Sequence, residues 1–249
     1  MKKTLKVCLI SFLVINLIGP VLVLLSGDIS MAGDWRTANR ESTGIAPLPQ
    51  NTSDAVVQVY AARAFNWRGI FAVHTWIATK EKNANAYTVY QALGWNERRG
   101  LPVVVPIIDI PDRSWYGYPP VIVADLRGEK AETAIEKIIV AVKNYPYKNN
   151  YILWPGPNSN TFTAYIGRHV PELGLDLPPN AIGKDFLPDG KLFSVTPSGT
   201  GFQFSIFGLA GFLASRTEGV EINILGLVTG FNPNHPALKL AGIGKIEFN

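Results

Sequence analysis

The sequence predicts an α+β domain built on an antiparallel sheet, behind an N-terminal transmembrane helix and ahead of a β-rich C-terminal region. Three observations predict it. Residues 7–27 carry no charge, apolar alternation between residues 55 and 126 gives way to a helical period at 129–145, and glycine-studded apolar segments follow residue 200. The 249 residues are 47% hydrophobic and only 17% charged, which excludes a disordered chain. One cysteine and three histidines exclude a disulfide framework and a Cys/His zinc module, and no cofactor is expected. The formal charge is +4, but Lys2, Lys3 and Lys6 precede the first acid, and the remaining 20 Lys+Arg face 19 Asp+Glu. With no basic stripe left, nucleic acid is not an expected partner.

Residues 7–27 (VCLISFLVINLIGPVLVLLSG) would form a helix of roughly 31 Å, the thickness of a bilayer's hydrocarbon core. Lysines before the run and none close behind it put the N-terminus inside. The expectation is a single pass through the inner (cytoplasmic) membrane, with the domain facing the periplasm or cell exterior. A cleaved signal peptide is the competing reading, because Ser30-Met31-Ala32 offers a small-x-small site after an apolar run longer than signal peptides use. Cys8 reads as a small apolar residue of this helix.

The expected layout is a basic flank (1–6), the membrane helix (7–27), a polar Pro-containing linker (28–54), an α+β domain (55–180) and a β-rich region (181–249). Strands are expected over 55–62 and 69–79, where Val, Ile, Phe and Trp concentrate, with 86–94 returning as a hairpin partner after a polar turn. A long Pro-rich loop with one short strand spans 101–120, and 121–126 is another strand. Residues 129–145 carry Ala131, Ala134, Ile135, Ile138, Ile139 and Val142 at helical spacing, with acids at the front and Pro146 as the stop. A second helix should run over 159–169, capped by Asn158 and closed by Pro171. After residue 178, three or four antiparallel strands are expected, as a separate region or as an extension of the main sheet.

Several chemistries are excluded by their missing motifs. The phosphate-binding loop fails because Lys239 stands where it needs its first glycine, and neither a G-x-S-x-G elbow nor H-E-x-x-H occurs. What remains is His74, inside a strand that is apolar on both faces, and the segment Gly156-Pro157-Asn158-Ser159-Asn160-Thr161-Phe162. A buried imidazole must find a partner or stay neutral, and a backbone carbonyl alone would satisfy it. Ser159 at a helix start has unsatisfied N–H groups nearby that could hold an oxyanion; ordinary capping by Asn158 or Ser159 uses those same groups.

A strand histidine (His74-Thr75-Trp76-Ile77), followed about 85 residues later by Asn158-Ser159-Asn160-Thr161-Phe162 opening a helix, resembles the circularly permuted papain-like fold. That group includes permuted relatives of the NlpC-type cell-wall peptidases and lecithin:retinol acyltransferase-like enzymes. The stretches 33–47, 65–77, 90–95, 154–162, 177–186, 197–203 and 225–231 also resemble a bacterial membrane-anchored family of unknown function. The papain-like resemblance implies a nucleophile at Ser159, a base at His74 and an orienting group on the next strand, with Gln91 the candidate and Tyr90 the alternative. It covers about residues 55–175. The family's cysteine is replaced by serine, which has no standing anion and must give its proton to His74 during attack.

Three functions therefore stand: a Ser–His hydrolase or acyltransferase acting on an amide, ester or thioester; a catalytically inactive binding or scaffolding module of the cell envelope; and a structural envelope protein. Asn158, Asn160, Trp76 and Trp154 are the candidate binding residues. The ligand, whether small molecule, lipid or peptide, and the oligomeric state stay open, as does a role for the Lys184-Asp185 and Asp34/Arg36 pairs. His169 and His235 read as a helix-end and a loop residue.

Overall fold

The computed structural model describes residues 2–248, with side chains of 6, 7 and 10–248; Cys8, read as a helix residue, lies outside the described side chains. In chain order the elements are α1 (Lys2–Ser26), β1 (Val56–Arg63), β2 (Val73–Lys80), β3 (Thr88–Tyr90), α2 (Gly94–Glu97), β4 (Ile107–Ile108), β5 (Val121–Arg127), α3 (Glu129–Asn144) and α4 (Ser159–His169). The C-terminal strands follow: β6 (Phe193–Val195), β7 (Gly201–Ile206), β8 (Ala210–Ser215), β9 (Gly219–Ile224), β10 (Leu227–Asn232), β11 (Ala237–Leu240) and β12 (Gly244–Glu247). The class is α+β with two antiparallel sheets.

The first sheet has the order β4-β3-β2-β1-β5. On one face lie α3 and α4, meeting Val57, Val59, Ala61, Val73 and Ile77 through Ala131, Ala134, Ile138, Phe162 and Ile166. The positions between these, Val56, Tyr60, Ala62, Trp76, Ala78 and Val89, make a second apolar layer on the other face, closed by Trp115. Alternation along a strand produces the two layers, and both being apolar accounts for the complete burial of β2.

The transmembrane expectation for 7–27 is corrected: among the described residues, no helix is long and apolar enough to cross a membrane. The single-pass inner-membrane placement falls with it. The run is helical, but part of it docks on the chain's own C-terminal sheet. Asn16, Gly19, Pro20 and Val23 form a buried stripe at three- and four-residue spacing. A Cβ on Gly19 would lie 2.0 Å from the Ala241 carbonyl oxygen, so only glycine permits this approach. Val23 packs with Ile29 and Ile70.

The strand expected over 69–79 starts only at Val73, since Asn66–Ile70 forms a 3-10 turn first. The C-terminal region is a seven-stranded meander, β12-β11-β10-β9-β8-β7-β6, distinct from the first sheet. Its strands outnumber the three or four expected because each apolar run is folded back by a tight turn. Leu225 and Gly226, at φ 58° and 83°, make the two-residue turn that joins β9 to β10. Residues 42–46 lie along the 109–113 loop, where Asp112 accepts from the Ser42 hydroxyl (2.7 Å) and from the N–H groups of Ile45 (2.8 Å) and Ala46 (3.1 Å).

Candidate functional site

Helix α4 opens with a complete capping box. Asn158 Oδ1 accepts from the N–H groups of Asn160 (3.0 Å) and Thr161 (3.2 Å), while Thr161 Oγ1 accepts from the Asn158 N–H (3.1 Å). Asn158 Nδ2 also donates to the carbonyls of Leu153 and Ile182, both at 3.0 Å. The N–H groups of Asn160 and Thr161, which an oxyanion would need, are already paired. Asn160 is equally committed, with Nδ2 donating to Val73 O (2.9 Å) and Ile182 O (2.8 Å). The two candidate binding asparagines thus tie the helix start to β2 and to the 182–183 turn.

Strand alternation decides where the histidine goes. Thr75 faces α4, its hydroxyl lying 2.9 Å from both Asn160 Oδ1 and Thr163 Oγ1. His74, one residue earlier, points to the other face with Trp76. There its Nε2–H donates to Gln91 Oε1 at 3.1 Å, so the structure joins two of the three proposed catalytic residues. Its ring stacks on Trp115 at 3.7 Å between centroids and on Trp76 at 5.8 Å. Burial pushes the imidazole down to about 4, with the Gln91 hydrogen bond pulling the other way, so it is neutral at pH 7.

Ser159 is buried at the start of α4, on the Thr75 side. Among the described residues no hydrogen bond joins it to His74. Its neighbour is the Tyr151 phenol, which burial raises and the Ser159 hydroxyl and backbone draw back. Tyr90, the alternative orienting group, belongs to the layer beneath α3 and α4, again across the sheet from His74. Trp76 Nε1 donates to Pro111 O (2.7 Å), and half-exposed Trp154 donates to Leu225 O (3.1 Å), tying the loop before α4 to the β9–β10 turn. Of the expected constellation, His74 and Gln91 share a hydrogen bond on one face of β2, while α4, which carries Ser159, is held to the other face through Thr75.

Trp95, Trp115 and Tyr116 are not among the site residues expected from the sequence, yet they build an aromatic file beside His74. Trp115 stacks between His74 and Trp95 (6.0 Å) and meets Tyr116 edge-on at 4.9 Å. Tyr116 then meets Phe65 at 5.2 Å. This aromatic file ends at a cleft of about 350 Å³, walled by Phe65, Tyr116 and Tyr118 and carrying Asp28 and Asp34. Residue 95 comes from the single turn of α2 and residues 115 and 116 from a loop, a meeting that no periodicity signals.

A second polar centre lies under the C-terminal sheet. Glu221 Oε2 meets Lys184 Nζ at 2.5 Å and its Oε1 meets Lys239 Nζ at 2.6 Å, and all three side chains are buried. Asp185 accepts from Lys184 (3.1 Å), Gln203 (2.5 Å) and Asn223 (2.9 Å). Burial pulls the Lys184 ammonium down, but Asp185 and Glu221 outweigh it and hold it above the ordinary lysine range. Burial would raise Glu221, yet the two lysines hold it below the carboxylate range. Asp34 caps its own turn, accepting from the Arg36 N–H at 2.9 Å. His169 Nδ1 lies 2.8 Å from Tyr165 O at the helix end, and the His235 N–H donates to Asn232 Oδ1 at 3.2 Å in a loop. Among the described residues, no three His, Cys, Asp or Glu side chains gather closely enough to hold a metal ion.

Neither a curated protein nor a solved structure matches the chain. A family model described as a protein of unknown function, DUF3750, matches residues 54–186, which takes in the first sheet, α3, α4 and the Lys184-Asp185 pair. Matched over more than half its length, the chain belongs to the DUF3750 family.

Proposed function

We propose that this chain is a non-catalytic binding module that takes a compact organic cation in the cleft between Asp28–Ala38 and the 116–118 loop. One observation carries the non-catalytic half of the reading: His74, the base expected for Ser159, is bonded to Gln91, stacked between indoles and turned to the far face of β2. A serine hydroxyl without such a base has no means of losing its proton during attack. The cleft supports the binding half. Aromatic rings beside two carboxylates suit an alkylammonium group, which the ring faces attract and the acids neutralise. The chain already makes this kind of contact internally, with the Arg40 guanidinium 4.5 Å over the Tyr116 ring.

Two measurements on the full chain test the reading. A fluorophosphonate probe should leave Ser159 unlabelled, and labelling that Ser159→Ala abolishes would overturn the non-catalytic half. Tetramethylammonium should shift the ring resonances of Tyr116 and Tyr118 in a saturable way, and Asp34→Asn should weaken that binding. No saturable shift up to high millimolar concentration would overturn the cation site.

A further inference from the structure

Helix α1 is fixed to the body by a narrow stripe, and its anchorage shares residues with the cleft. Between residues 10 and 26 only Asn16, Gly19, Pro20 and Val23 are buried. The Thr229 hydroxyl donates to Asn16 Oδ1, and Gly19 and Pro20 lie against the backbone of the Ala241–Gly242 turn. A Cβ on Gly242 would stand 2.7 Å from the Pro20 ring. A helix held along one such stripe belongs to the low-stability end of a fold, where local detachment precedes global unfolding. Its exit is equally light. Gly27, at φ 78° with open space around it, ends the helix in a conformation that favours glycine, and Asp28 of the cleft follows directly.

Two sets of contacts serve both the helix and the cleft. The first is apolar: Val23 packs with Ile29 and Ile70, and Tyr118 packs against that cluster. The same Tyr118 walls the cleft, and its hydroxyl accepts from the Ser30 N–H at 2.9 Å. The second is polar. Arg63 donates to Gly242 O (2.5 Å) and Ile243 O (3.1 Å), fixing the turn on which α1 lands. Burial pulls the Arg63 guanidinium down and the Asp28 carboxylate draws it back, so cleft and landing turn meet around one side chain. Detachment of α1 frees residues 28–30, part of one wall of the cleft, whereas a cation seated between the acids and the rings ties that wall to the 116–118 loop. We infer that cation binding and docking of α1 are coupled: a filled cleft latches the helix onto the body, and an empty one lets it detach. This coupling rests on the cleft reading above and adds its regulation. A cation that binds the docked form more tightly shifts the chain toward docking, and docking raises its affinity by the same factor.

Chymotrypsin cutting and the Tyr116 ring resonances of the full chain test the coupling, with tetramethylammonium chloride set against sodium chloride at equal ionic strength. Cutting of a transiently detached segment tracks the population of the open form. Saturating tetramethylammonium should slow cutting within residues 10–30 by about tenfold, and Gly19→Val, which detaches α1, should raise the Kd read at Tyr116 by about the same factor. Asp34→Asn acts from the other side, on an exposed cleft residue away from α1. In that variant the same concentration of tetramethylammonium should leave cutting nearly unchanged, which keeps the test independent of whether Gly19→Val folds. A saturable Tyr116 shift with unchanged cutting, an unchanged Kd in folded Gly19→Val, or equal slowing in Asp34→Asn would overturn the coupling and leave the cleft standing. No saturable shift in the wild type would overturn the cleft itself, and the latch with it.

Discussion

The hydroxyl of Thr75 lies 2.9 Å from Asn160 Oδ1, so the residue after His74 holds the residue after Ser159. This contact brings the two sequence motifs together and keeps their reactive groups apart. A strand that turns Thr75 toward the helix turns His74 away from it.

Thr75→Val keeps the shape and removes the donor, leaving Asn160 Oδ1 and Thr163 Oγ1 short of a partner. Buried polar groups stranded in this way cost about 1–3 kcal/mol. Urea unfolding should record a loss in that range, and an unchanged midpoint would show the contact contributes nothing.

The capping box makes Asn158 more important to the fold than Ser159. Asn158→Ala removes an N-cap and two further donations to loop carbonyls, an expected cost of about 2 kcal/mol or more. Ser159→Ala should cost under about 1 kcal/mol, because the Tyr151 phenol keeps the Ser159 backbone as a partner. Thermal melts of the two variants compare them directly; equal shifts would contradict the assignment.

His74 predicts the sign of an acid effect. Its folded pKa of about 4 lies below the unfolded value near 6.5, so the unfolded chain holds more protons between those limits. Stability contributed by neutral His74 is complete above about pH 6.5 and is lost as pH falls, by roughly 3 kcal/mol at about pH 4. Unfolding free energies measured across that window should slope downward with acid, and His74→Gln should flatten the slope.

Glu221 is shared by two buried lysines, and Glu221→Gln leaves both short of charge. Removing one side of a buried ion pair costs about 3–5 kcal/mol, so this variant should be among the least stable single substitutions in the chain. The double variant Glu221→Gln with Lys239→Met should recover part of the loss, and failure to recover any would place the cost elsewhere.

At Gly19 the prediction concerns docking rather than global stability. Gly19→Val puts a side chain where the Ala241 carbonyl already sits, so α1 should detach while both sheets stay folded. Protease cutting within residues 10–30 should rise sharply, with the circular dichroism of the sheets retained.

Local order was legible in the sequence. The helical spacing of Ala131 to Val142 required α3, the Asn158 cap and Pro171 bracketed α4, and the apolar residues of 69–79 required a buried strand, though it starts only at Val73, because each depends only on neighbours along the chain. The Lys184-Asp185 pair was visible as residues but not as half of a buried network, since Glu221 and Lys239 arrive from strands more than thirty residues away. Only the tertiary structure decided that His74 and Ser159 face away from each other. A one-residue difference in phase reverses a side chain across a sheet, and that phase is set by packing against α4. It likewise decided the fate of the apolar N-terminal run: hydropathy measures aversion to water, and the docked stripe from Asn16 to Val23 spends part of that aversion on the protein's own sheet.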